Sequence, residues 1–316
     1  MNAAFVARRV VYGLISLAIL SAIIFACTHL LPGDAAVTIL GEGASSEALA
    51  ALRARLGLDR SFLAQFLDWL VGIPFGAFGT STTLNQPAGP IIAERFRNSL
   101  ALAVTTLGVA AALAIPLGVA AAARRGSRLD GSILAASYVG ISIPDFVVAP
   151  ILIIVLASPP LSLLPSGGFV PFTESFGGWL AHMVLPVIVL TFLLTAHLLR
   201  QTRSGMLEVL SSDYIRTARL KGLPERIVLW RHGLRNGLTT TIAVLALDIG
   251  YLMGSIVIVE EIFAYPGLGR LMVYSVANRD MPLVQGSALV IGAVYVVANL
   301  FADLAQGVLN PRLTRS

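Results

Sequence analysis

The chain has 316 residues and a formal net charge of +5; 56% of it is hydrophobic, and only 12% is Asp, Glu, Lys or Arg, against roughly a quarter in a soluble domain. With a mean hydropathy of +0.83, too little polar sequence remains to cover a soluble core, so lipid must solvate much of the chain. The basic excess lies in short segments between apolar runs, a pattern set by membrane orientation that excludes nucleic acid as a partner.

A bilayer core about 30 Å thick needs about 20 apolar helical residues, and six stretches qualify. The first, Val10–Leu31, is too long for a signal-peptide core and reads as a retained span. It contains the single cysteine, Cys27, so neither a disulfide nor a cysteine metal site forms within the chain. The long segment 32–97 follows. In it Ser45 or Ser46 should cap a helix ending at Gly57, and Asp59 a second helix with Phe62, Phe66 and Trp69 on one face and Gly72 at its end. That aromatic face fits either a cap packed on the spans or a ligand contact.

Asn98–Ala123 is the second span, and Gly131–Ala157 the third, with Pro144 and Pro150 placed to kink or break it. Trp179–Leu199, Leu238–Val259 and Met281–Leu309 complete the set. Asp145, Asp248 and Asp303 interrupt the third, fifth and sixth, and such residues are costly in lipid. They should face protein or a polar cavity, as structural pairs or as proton relays; no intramembrane His, Lys or Glu partner is evident. Gly250 and Gly254 form a small-xxx-small pair suited to close helix packing. The N-terminus, 124–130, 200–237 and the C-terminus carry 15 of the 22 basic residues, which puts both termini in the cytoplasm.

The most informative connection is 200–237, which holds eight basic residues. Leu199–Leu210 continues the fourth span. Ser211, Ser212 and Asp213 are capping types, and a short helix should run from Tyr214 to Lys221 and stop at Gly222. Pro224 and Glu225 then open another helix leading into the fifth span. Two readings fit a basic helix here: contact with anionic headgroups, or presentation to a soluble partner, with Ala218 permitting close approach and Gly222 giving a sharp exit.

The segment from Asp213 through Arg216-Thr217-Ala218 to Gly222, followed by Trp230-Arg231-His232-Gly233-Leu234-Arg235-Asn236, resembles the EAA loop of ABC-importer permeases. It is most similar to that of the dipeptide, oligopeptide and nickel branch. Arg216-Thr217-Ala218 stands at the Glu-Ala-Ala triplet, and Gly222 keeps the spacing. Further matching motifs are Leu31-Pro32-Gly33-Asp34, Leu56-Gly57-Leu58-Asp59, Ser142-Ile143-Pro144, Glu261 to Gly269, Asn278-Arg279-Asp280 and Asn310-Pro311-Arg312. Gln306 and Asn310 depart from the pattern.

The resemblance implies an all-α polytopic membrane protein of the type I ABC-importer permease fold, with six transmembrane helices and a cytoplasmic coupling helix between the fourth and fifth. It divides into a first helix plus extracytoplasmic loop (1–97), a five-helix core (98–309) and a cytoplasmic tail (310–316). Implied partners are a second permease, two cytoplasmic ATPase subunits that bind ATP and magnesium, and an extracytoplasmic substrate-binding protein at a bacterial inner membrane. Asp213, Tyr214, Arg216, Thr217, Ala218 and Gly222 would make or shape the ATPase contact.

The chain's own residues point the same way about the ATPase. A phosphate-binding loop needs Gly-Lys-Ser or Gly-Lys-Thr after a glycine-rich turn, but the only lysine, Lys221, follows Leu220. No HExxH zinc pair or GxSxG elbow is present, and the four histidines are dispersed, with His182 and His197 read as packing or interfacial residues. The expected function is therefore a non-enzymatic permease for peptides; nickel complexes, an ion-coupled secondary transporter acting alone and a membrane scaffold are the alternatives.

Overall fold

A computed structural model describes residues 3–30, 37, 40, 41, 43–56 and 59–309. Regular structure among them is helical: α1 (Ala3–Leu30), α2 (Ser46–Leu56), α3 (Phe62–Gly72), α4 (Ala88–Ala123), α5 (Arg128–Ser142), α6 (Asp145–Leu152), α7 (Phe176–Leu210), α8 (Asp213–Leu220), α9 (Leu234–Ile262), α10 (Leu268–Ala277) and α11 (Met281–Leu309). Four helices are long and apolar enough to cross a membrane: α1 over Phe5–Leu30, α4, α7, and α11 over Met281–Leu304. The 29-residue α9 covers the fifth expected span. The protein is an all-α, multi-pass membrane protein.

The third expected span is not one straight helix. The runs Arg128–Ser142 and Asp145–Ala157 meet the length and hydropathy test together, but they are bent by 98°. The proline ring drives the preceding residue out of helical conformation; Ile143 sits at φ −102°, ψ 118° and Pro144 at φ −64°, ψ 148°. Pro150, by contrast, lies inside α6 without ending it, and a π-helical turn over Ile153–Ala157 follows.

Two other boundaries differ from the sequence reading. α4 begins at Ala88, ten residues before Asn98, because Glu94, Arg95 and Arg97 interrupt hydropathy but not helicity. Ser61, rather than Asp59, caps α3, its side chain accepting from the Ala64 amide. The motifs at 31–34, 57–58 and 310–312, the Gln306 side chain and the tail 310–316 lie outside the described residues.

The chain forms two compact units. The first comprises residues 1–11, 100–265 and 297–316. Its core packs Leu102 of α4, Met183, Leu185 and Val189 of α7, and Leu252, Ile256 and Val259 of α9. Gly118 lets α4 and α7 cross closely, since a Cβ there would stand 2.7 Å from the Thr202 Cβ. Gly254 meets nothing within 4 Å and is exposed, so it does not serve helix packing inside this chain.

The second unit comprises residues 12–99 and 266–296. Here the aromatic face of α3 packs on α1: Phe62, Phe66 and Trp69 all lie within 5.6 Å, centroid to centroid, of the Phe25 ring. Trp69 is buried, which is the geometry of a packed cap.

Candidate coupling site

The site grows out of α7, which continues unbroken from its apolar run to Leu210. Its last turns are fixed by packing and by charge. The fully buried Met206 packs with Val119 and Ala122 of α4, while Gly237 at the start of α9 approaches so closely that a Cβ would lie 2.7 Å from the methionine sulfur. Arg203 grips Asp130 of α5 bidentately, Nε to Oδ1 at 2.7 Å and a terminal nitrogen to Oδ2 at 2.8 Å.

Asp130 also accepts the Gly126 amide at 3.0 Å, and its own amide donates to the Ser127 hydroxyl at 3.3 Å, capping α5. The Arg203 hydrogen bonds, helped by Gly126, hold the Asp130 carboxyl at about 2, down from 3.8. This brace joins the α4–α5 turn to the helix that carries α8. Sequence reading missed it because the partners are 73 residues apart.

α8 itself has two unlike faces. Ser212 is its N-cap residue, Asp213 stands in the first turn, and Lys221 is the C-cap. Gly222 follows at φ +75°, a conformation that strains any residue with a Cβ. Its amide donates to the Arg219 carbonyl at 2.9 Å, and that of Leu223 to Ala218 at 3.4 Å. Ile215 and Ala218, three residues apart, form one face and bury against Val209, Leu210, Leu223 and Val228. Asp213, Tyr214, Arg216, Thr217 and Leu220 are exposed.

Ala218 therefore requires correction. It faces inward at 8% exposure, so its small size serves docking of α8 onto its own chain rather than approach by a partner. Leu220 is the residue that sequence reading passed over: it is 80% exposed, an apolar side chain displayed one turn beyond Arg216. Helical spacing from the 215/218 face could have found it.

Three further bonds set the pose of α8. The Asn236 amide of α9 donates to the Tyr214 hydroxyl at 2.8 Å, and the Thr217 hydroxyl donates to the Asp213 carbonyl at 2.9 Å. Arg219 binds Glu225 across the Gly222 turn, with its closest nitrogen–oxygen distance 2.7 Å, which holds the Glu225 carboxyl below its usual range. Both side chains are well exposed, so that pair contributes under about 1 kcal/mol.

The three intramembrane aspartates are not brought together. Asp145 opens α6, is buried and hydrogen-bonds Ser255. Asp248 of α9 sits 2.6 Å from His197 Nδ1 of α7, an intramembrane histidine partner that sequence reading did not see across 51 positions. Asp303 pairs with Arg9 at 2.9 Å. Each has its own partner, so among the described residues they form no continuous chain.

The remaining shared motifs build the scaffold. Phe263 and Tyr265 are buried, Ala264 adopts φ +51°, and the Gly168 amide donates to the Phe263 carbonyl at 2.8 Å. In the second unit, the Asn98 side chain donates to the Pro266 carbonyl at 2.9 Å, and the Leu268 amide to the Ser99 hydroxyl at 2.7 Å. Asp280 is fully buried. It accepts the Ser81 hydroxyl at 2.5 Å, the Thr83 hydroxyl at 2.7 Å and the Thr83 amide at 3.1 Å.

Long apolar helices around an amphipathic connecting helix are the architecture of a membrane permease. Residues 114–315 match the family described as the inner membrane component of binding-protein-dependent transport systems, and residues 2–108 match the family's N-terminal component. The chain belongs to this family. Among its relatives, one from Brucella melitensis bears the name of a peptide transport system permease and is 39% identical over 313 residues, covering 99% of each chain. The dipeptide transport system permease protein DppB of Escherichia coli is 37% identical, with 92% of each chain covered. A relative named as a peptide ABC transporter permease, from Sinorhizobium fredii, is 34% identical over 98% of each.

Proposed function

We propose that this chain is the permease subunit of an ATP-driven peptide importer and that α8 is the helix through which cytoplasmic ATPase subunits move it. The peptide substrate rests on the names carried by full-length relatives. The coupling role rests on one observation: α8 is locked to its own chain through Ile215 and Ala218, while Tyr214, Arg216, Thr217 and Leu220 are left exposed. An exposed face that mixes an aromatic, an arginine and a leucine on a helix held rigidly from behind suits insertion into a groove of a partner.

In this reading Asp213, Tyr214, Arg216, Thr217 and Leu220 touch the ATPase, and Ala218 and Gly222 shape the helix that presents them. A second permease completes the pathway, and a binding protein delivers substrate from outside. Two ATPase subunits bind ATP and magnesium beneath, since this chain's lone lysine sits in no phosphate-binding loop. The distribution of basic residues supports an orientation with both termini in the cytoplasm. Movement of α8 passes into α7 and α9 as rigid elements and exposes the pathway to alternate sides.

The test is Leu220→Asp combined with Arg216→Glu in the assembled transporter. ATP-driven peptide uptake should fall to background and ATPase subunits should dissociate on mild solubilisation, while insertion of the chain is unchanged. Ala218→Arg should abolish uptake as well, by undocking α8 from Ile215 and Val228. Normal uptake by either variant sinks the assignment. Uptake driven by a pH gradient in ATP-free vesicles favours instead an ion-coupled transporter using Asp145, Asp248 or Asp303.

A further inference from the structure

A groove of about 560 Å³ lies between α4, α5 and α7, apart from the coupling site. Its walls include Val109, Leu113 and Leu117 of α4, Ile133 and Ala136 of α5, and Leu199 of α7. On α7 it extends from Val187 to Leu199, about 18 Å of helical rise. The groove is long and deep enough to seat an alkyl chain along α7.

The chemistry changes at one end. There α4 passes into the turn that carries Arg124, Arg125 and Arg128, all exposed. Ser132 of the groove lies one turn along α5 from Arg128, and Leu117 is seven residues before Arg124, so the turn that carries these arginines lies at that end. Neither Arg124 nor Arg128 makes an ion pair among the described residues. Asp130, the carboxylate of the turn, is already committed to Arg203 and to the Gly126 amide. The N-terminus of the 15-residue α5 opens at the same place, adding the positive end of a helix dipole.

We propose that this site holds one anionic phospholipid of the adjoining leaflet, with an acyl chain in the groove and its phosphate on Arg124, Arg125 and Arg128. Membrane orientation alone accounts for basic residues in the turn; it does not account for an alkyl-sized groove beneath them. Anionic headgroups favour such basic pockets between helices. The site rests on the chain lying in a membrane and is independent of its substrate and of which side is cytoplasmic.

The test uses the assembled transporter in nanodiscs of phosphatidylcholine doped with phosphatidylglycerol, released into native mass spectrometry. The wild type should retain phosphatidylglycerol in preference to phosphatidylcholine. Each arginine replaced by glutamine should lower that retention about fivefold, and R124Q/R125Q/R128Q about 100-fold. Ala136→Phe, which fills the groove and leaves the arginines in place, should also lose the lipid, and the gentler Ala136→Leu should weaken its hold.

The same spectra report whether ATPase subunits remain attached, so loss of lipid is separable from loss of assembly. The proposal fails if the wild type shows no preference, if the triple variant retains phosphatidylglycerol normally, or if the groove-filling variants bind it unchanged. It fails equally if a Thr195→Cys probe in the groove crosslinks to a helix of another subunit and not to a photoactivatable phospholipid.

Discussion

Asp130 sits in the first turn of α5 and Asp280 immediately before α11, and the two regions hold their carboxylates differently. In the α4–α5 turn, Asp130 is gripped by one long cationic side chain, Arg203, which keeps 20% exposure. In the segment before α11, Asp280 is fully buried and satisfied by the short hydroxyls of Ser81 and Thr83 and by a backbone amide. An edge ion pair can lengthen and re-form through water, whereas a buried network has no water to replace a lost donor. The difference teaches that the scaffold around Asp280 is the more firmly fixed of the two, and that the brace next to α8 is held by a pair that water can reach.

Breaking the fixed side should have the largest effect. Asp280→Ala strands two hydroxyls and an amide in a dry site, which should cost about 4 kcal/mol; thermal unfolding in detergent should show most of the chain lost or aggregated. Arg203→Ala should cost about half as much, about 2 kcal/mol, with the wild type and variant converging at low pH. The Asp130 carboxyl is depressed from 3.8 to about 2, so its contribution is fully present above pH ~4 and is lost as pH falls from ~4 toward 2. A stability difference that does not narrow in that window would mean that Arg203 acts by packing alone.

Gly222→Ala places a Cβ at φ +75° and should cost about 1 kcal/mol, with uptake reduced more than stability because α8 is misaimed. Smallest of all is Glu225→Gln, at under about 0.5 kcal/mol, since the Arg219 pair is exposed. A large loss of stability there would erase the contrast between the held and the fixed regions.

Much of this architecture was legible in the sequence because membrane spans announce themselves by length and hydropathy, and short helices by their caps. Ser212-Asp213 and Gly222 bracket α8 in both the sequence and the structure. The sharp break at Pro144 was signalled as a kink, but its 98° angle depends on the pre-proline residue and on packing. What could not be read was which side chains meet across distant positions. His197 with Asp248, Arg203 with Asp130 and Ser81 with Asp280 are set by helix crossings that no local pattern encodes. The inward turn of Ala218 failed for a different reason: alanine looks alike on both faces of a helix, and only the neighbouring Ile215 reveals its side.

The unbroken length of α7 carries a mechanical consequence. Its 35 residues measure about 52 Å, against a hydrocarbon thickness of about 30 Å, so about 20 Å projects as a shaft. Pro186, which removes one internal bond, divides it into arms of about 15 and 36 Å, with the longer arm ending at α8. Because the helix runs on unbroken past that residue, the longer arm ties α8 directly to the buried part of the span, so a displacement of α8 has to be shared by the whole shaft.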